Sequence, residues 1–277
     1  MQAKLGKAAR HAEHRNPGWA KLLCHAKRTT LSLDRILLKT VTDSDCPLNL
    51  RCLAARLLRD VGGVTLAFVP LLSELISAGD SRNPELCSVI QAMNHGRVHL
   101  TRPAFEILHS TLRRGTPEQR YWIVNDLAFF TNDRDRYKVR HALIEVLDDA
   151  DAPAEARGWA AERLHLHASQ ETLRACLRVI DDPVPLVRLW ATYTLGCVAQ
   201  CQPVFQGAVI PALESRLTDD AVGPGWWSVR REAQSWLAHL RGGQEEEDRL
   251  QAEVQAVLRD PAASVEDKNW AGFNDCS

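Results

Sequence analysis

A four-residue word returns along the whole chain, and it restricts the fold more than any other feature. Arg157-Gly158-Trp159-Ala160 and Arg188-Leu189-Trp190-Ala191 are its clearest copies, each after an acidic turn with proline, Asp149 to Pro153 and Asp181-Asp182-Pro183. Arg120-Tyr121-Trp122-Ile123 is a third. The same register holds Pro17-Gly18-Trp19-Ala20, Arg51-Cys52-Leu53-Ala54, Leu86-Cys87-Ser88-Val89, Arg230-Arg231-Glu232-Ala233 and Lys268-Asn269-Trp270-Ala271. The intervals between successive words are 34, 35, 34, 37, 31, 42 and 38 residues, the length of a two-helix repeat unit. The last position is always small or β-branched, as close packing of a helix against its neighbours requires.

Around each word the apolar residues have helical spacing, as in Val187, Trp190, Ala191, Leu195 and Val198. The segment before has its own stripe, Leu173, Cys176, Leu177 and Ile180, so each unit predicts a helical hairpin. Turn residues punctuate the units at 43–47, 79–84, 115–117, 148–153, 181–185 and 218–228, and no strand pattern competes. The expected fold is all-α, an α-solenoid of about six to eight stacked hairpins forming a HEAT-like superhelix.

Asp-Asp-Pro-x-x-x-Val-Arg-x-x-Ala with a Leu-Gly ending, at Asp181 to Gly196, resembles HEAT-like repeats of the phycobilisome-lyase type. The resemblance implies a structural ladder in which turn aspartates, Asp149 and Asp182, and the arginines that follow, Arg157 and Arg188, bond neighbouring units.

The two ends carry opposite charge. Residues 1–39 hold nine cations against Glu13 and Asp34, a balance of +7, while residues 244–277 have a balance of −6. The division expected is a solenoid over 1–243 with a basic N-terminal cap, and an acidic capping helix with a degenerate last repeat over 244–277. A net charge of −1 gives no attractive field for a phosphate backbone and disfavours nucleic acid as a partner. The longest nearly apolar run, Val61 to Leu72, is broken by Gly62, Gly63 and Pro70 and falls short of the roughly 20 residues that a bilayer needs. With no signal-peptide pattern over Gln2 to Ala20 and eight scattered cysteines, the expectation is a cytoplasmic protein with reduced thiols.

None of the ten histidines is followed by glutamate, the pairing that metal-binding repeat enzymes of the hydroxylase kind use. His95 with His99, His165 with His167, and Cys197 with Cys201 each lack the further ligands of a metal site. Gly62-Gly63 and Gly242-Gly243 read as helix stops, not phosphate loops. No metal, cofactor or small molecule is therefore expected, and the chain is expected not to be an enzyme. One catalytic alternative stays open, a DNA glycosylase acting on alkylated bases. Alkylpurine glycosylases are built from similar repeats and use tryptophans, an aspartate and arginines, a set imitated by Trp122, Asp126, Trp159, Arg163 and Trp190. Against it, those tryptophans fall at the core register. Asp126 and Arg163, each six beyond its anchor in adjacent units, predict an inter-unit ion pair.

What remains is recognition. Positions one, five and eight beyond the anchor are expected to face away from the core, on the concave surface that stacked repeats present. They place Tyr121, Asn125, Gly158, Glu162, His165, Leu189, Tyr193, Arg231 and Ser235 on one stripe. Tyr121 and Tyr193 would anchor a partner, and Glu162 and Arg231 would select it. The partner expected is another protein, most concretely a toxin or enzyme held by an immunity- or antitoxin-type inhibitor, or the client of an adaptor.

Overall fold

The computed structural model describes residues 33–61, 68–80, 83–95, 100–223, 225–242 and 244–275. The word at Pro17, His99, the Gly62-Gly63 pair and most of the basic N-terminal segment lie outside them. The described residues form fourteen α-helices and no strand; an isolated bridge joins Val222 and Ser228. In order they are α1 (Leu33–Thr42), α2 (Leu48–Val61), α3 (Val69–Ser77), α4 (Asn83–His95), α5 (Arg102–Arg114), α6 (Pro117–Leu127) and α7 (Asp133–Asp148). There follow α8 (Ala154–Arg163), α9 (Gln170–Arg178), α10 (Pro185–Cys201), α11 (Gln206–Glu214), α12 (Val229–Arg241), α13 (Gln244–Arg259) and α14 (Val265–Asp275).

These helices fall into seven consecutive pairs, and every described word opens the second helix of its pair. In six of the seven it begins at the helix's fourth residue: Arg51, Leu86, Arg120, Arg157, Arg188 and Lys268. The fold is the expected all-α solenoid. Two compact units divide the chain, residues 1–108 and 109–277. In the first, α1 packs on α2 and α3 on α4, with α2 against α4 and α1 against α3. In the second, the second helices α6, α8, α10 and α12 lie in contact one after another, α7 lies on α9, and α13 and α14 form the final pair.

The last residue of the word shows why its size is restricted. Ala54, Val89, Ile123, Ala160, Ala191, Ala233 and Ala271 are each 0 % exposed, so any larger side chain meets a neighbouring helix at native packing density. Side-chain caps fix several helix starts. Thr116 and Gln119 form a reciprocal capping box at α6, and Asn132, Ser169 and Ser228 cap α7, α9 and α12, each worth about 1 kcal/mol.

The arginine–acid ladder runs between units. Arg120 Nη2 donates to Asp149 Oδ2 at 2.9 Å, Arg157 bonds Asp182, and Arg188 Nε and Nη2 donate to Asp219 at 2.7 and 3.0 Å. Arg51 pairs with Glu74 in the first unit. Arg51 Nε also donates to Val41 O at 3.1 Å and Arg157 Nε to Leu147 O at 3.2 Å. One guanidinium thus closes the C-terminal end of the helix before it, where carbonyls lack intrahelical donors, and reaches on to the next unit. Among the described residues no helix is long and apolar enough to cross a membrane.

Candidate functional site

The second helices of the second unit carry a continuous run of aromatic rings. Tyr121 on α6 meets Trp122 edge-on at 5.3 Å and Trp159 of α8 at 5.9 Å. Trp159 stacks on Trp190 of α10 at 5.7 Å and 26°. Trp226, from the connection before α12, stands edge-on to Trp190 at 4.7 Å and to Trp159 at 6.1 Å. Tyr193 touches Trp190 and His165, and at 6.0 Å Trp236 of α12. Trp190 is buried, whereas Tyr121, Trp122, Trp159, Tyr193, Trp226 and Trp236 are half-exposed. The tryptophan register expected in the core is therefore split: Trp190 and Trp270 are core, and Trp122 and Trp159 reach the surface.

Two buried carboxyls lie beneath this ridge. Glu162 is 8 % exposed and Glu232 is 3 % exposed. Burial pushes the Glu162 carboxyl up, and Arg163 and His165 offset part of that. Glu232 accepts from the indoles of Trp227 at 2.6 Å and Trp236 at 2.8 Å, yet burial still raises it to about 7. Tyr193 and Cys197, which share a side-chain hydrogen bond, sit within the field of both carboxyls. Burial pushes the Cys197 thiol up to about 12, so at neutral pH it is not the thiolate a nucleophile needs.

The stripe read from the sequence is only partly brought to the surface. Tyr121, Asn125, His165 and Tyr193 are half-exposed on or beside the ridge. Leu189 is 0 % exposed and Glu162 nearly so, which corrects their placement away from the core. For Leu189 the reason is that α10 is packed by α8, α9, α11 and α12. Gly158 is buried as well: a Cβ there would stand 2.9 Å from Leu186 Cγ. Arg231 is engaged inside the protein with Glu253 and Asp267, its guanidinium 4.4 Å from the Trp270 ring centroid. Ser235 accepts from Trp270 Nε1 at 3.0 Å.

Arg163 binds the residue before the one expected: its guanidinium donates to Asn125 Oδ1 at 2.9 and 3.2 Å and lies beside Glu162 at 3.1 Å. It also lies over the rings of Trp159 and Phe129 at 5.5 and 5.3 Å. In the constellation weighed for a glycosylase, Trp122 donates to Glu118 at 3.0 Å, and Trp159 and Trp190 are stacked on each other. Asp126 is buried. His167 is also buried, bonded to Ala128 O at 2.8 Å, and desolvation lowers it to about 4. Among the described residues no group of three or more His, Cys, Asp or Glu is placed to hold a metal ion. A cleft of about 650 Å³ lies apart from the ridge, lined by His109, Arg113, Arg120, His141, Glu145 and Asp149 among others.

Trp226, Trp227 and Trp236 escaped the repeat register. The signal for the first two was the longest interval, 42 residues between the words at 188 and 230. Its surplus falls in the connection 215–228, which brings Trp226 to the ridge with the buried Trp227 against it.

The fold and this face define a helical repeat protein. No family model matches the chain, and no curated protein matches it. Among solved structures it resembles an engineered protein at 19 % identity, covering 89 % of this chain and 69 % of that one, with a TM-score of 0.45. A designed armadillo repeat protein in complex with the peptide (KR)4 matches at 18 % identity over 88 % and 99 % of the two chains, with a TM-score of 0.39. Human deoxyhypusine hydroxylase in complex with glycerol matches at 18 % identity over 88 % and 94 %, with a TM-score of 0.29. The expectation that the chain is not an enzyme is corrected here. An enzyme, the hydroxylase, stands among the structures it resembles.

Proposed function

We propose that the ridge on α6, α8, α10 and α12 is a docking surface for another protein. The observation that carries this reading is six half-exposed aromatic side chains, five on four consecutive second helices and Trp226 on the connection before α12, joined into one run through the buried Trp190. Large rings in water forfeit hydrophobic stabilisation that a partner restores, and rings already held by neighbours lose little conformational entropy on binding. Arg163, fixed over Trp159, adds a directional donor at the same place.

Tyr121, Asn125, His165 and Tyr193 are the proposed contacts from the original stripe, joined by Trp159 and Trp226. Inhibition of a toxin in the manner of an immunity protein and service as an adaptor are the finer forms of the proposal. So is the likeness to phycobilisome-lyase repeats, which rests on Asp181 to Gly196. The test is capture of a co-purifying protein by the tagged chain, compared with Tyr121→Ala and Trp226→Ala at matched helical content. Loss of the partner supports the face; retention in both variants removes it.

A further inference from the structure

Glu232 occupies an unusual position for a carboxylate. Its side chain is enclosed between α12, the connection before it and α10, and each oxygen is taken by one indole: Trp227 Nε1 donates to Oε2 and Trp236 Nε1 to Oε1. Both donors are neutral. The groups that face it from α10 are Tyr193 and Cys197, which also feel Glu162 of α8, itself engaged with Arg163 and His165. Arg231, the residue before it in the chain, is held by Glu253 of α13, Asp267 of α14 and the Trp270 face. On α12 itself, His239 is occupied with Gln200, and Arg241 pairs with Glu214 of α11. These cations are thus committed to other acids, and a negative charge on Glu232 is answered by dipoles, those of the two indoles and that of the α12 N-terminus, in whose first turn it lies.

We propose that Glu232 is a proton-operated latch: neutral, it stays enclosed beneath the indoles of Trp227 and Trp236, and ionised, it keeps their N–H donors but draws water in between the two rings to complete its solvation. A buried charge without an ionic partner is costly, and opening to solvent relieves that cost. Burial places the titration at about 7, against an ordinary 4.5. The closed arrangement is therefore favoured below that range and weakened on the order of a hundredfold as pH rises through it.

The two rings connect the latch to its surroundings. Trp236 lies against Gly196, where a Cβ would stand 2.0 Å from ring atom Cδ2. Trp227 packs on Trp226 at 5.6 Å and on the exposed Phe273 at 5.1 Å. Opening the latch loosens the α12 end of the aromatic ridge, whether or not that ridge receives a partner.

The experiment follows the indole N–H signals by nitrogen-15 NMR from about pH 5 to about pH 9, a window that brackets neutrality. It is done on a His239→Gln background, which removes the imidazole packed against Trp236. The signals of Trp227 and Trp236 should move together with one midpoint near neutrality, and Glu232→Gln should abolish the movement. A second variant, Trp236→Phe, removes one donor that favours the charged form, so the Trp227 midpoint should rise. Signals that stay still, signals that titrate unchanged with Glu232→Gln, or a Trp227 midpoint that Trp236→Phe leaves in place or lowers would overturn the latch.

Discussion

Arg157 and Asp182 lie 25 residues and one repeat apart, yet their side chains meet with only 9 % and 7 % of each exposed, Nη1 lying 3.3 Å from Oδ1 beside a closer Nη2–Oδ2 contact. Asp182 Oδ1 also accepts from Val184 N at 2.9 Å, so the same carboxylate shapes the turn into α10. The pair joins α8 to the next hairpin at a place where neither charge has recourse to water.

Removing one member should therefore cost more than the pair contributes. Asp182→Ala strands a buried guanidinium and should lower stability by about 3–5 kcal/mol in urea unfolding, whereas Arg157→Met with Asp182→Leu should recover most of the loss. An Asp182→Ala protein within about 1 kcal/mol of the parent would show that the ladder contributes no more than a surface ion pair.

Gly196 tests packing at the ridge. An added methyl would overlap the Trp236 ring, with ideal Cβ positions 2.0, 2.2 and 2.4 Å from three ring atoms. Gly196→Ala should cost about 1–3 kcal/mol, typical of an overpacked core, and should change the near-ultraviolet circular dichroism as the indole is displaced. An unchanged spectrum and melting temperature would mean that the indole does not rest on this glycine.

Two buried groups give stability opposite pH slopes. His167 falls from 6.5 to about 4 in the fold, so the unfolded chain takes up a proton first and stability is lost as pH drops from about 6.5 towards 4. Glu232 rises from 4.5 to about 7, so the unfolded chain ionises first and stability is lost as pH climbs between those values. Each amounts to about 3 kcal/mol at its limit, and they offset each other where the windows overlap. Urea midpoints across this range should rise with pH for Glu232→Gln and fall with pH for His167→Gln. Parallel curves for the two variants would contradict the assignments.

Leu189 and Tyr121 share one position of the repeat, and their truncations should separate cleanly. Leu189→Ala removes a fully buried side chain and should cost about 2–5 kcal/mol. Tyr121→Ala removes a half-exposed ring with edge contacts to Trp122 and Trp159 and should cost about 1 kcal/mol while weakening capture of a partner. Equal losses from the two in thermal unfolding would count against the burial difference.

The sequence by itself determined the repeat. Seven words fall at the start of seven second helices, because helical periodicity, proline turns and a size limit at one packed position are local or nearest-neighbour effects that repeat every three dozen residues. The ladder partners of Arg157 and Arg188 were half-legible: a turn aspartate was expected, and for Arg188 it is Asp219, in the long connection. The ridge was decided by tertiary structure. The exposure of Trp159, the burial of Leu189 and the enclosure of Glu232 depend on which neighbouring helix or connection covers each position. A surface shared by four helices is not written in the period of any one of them.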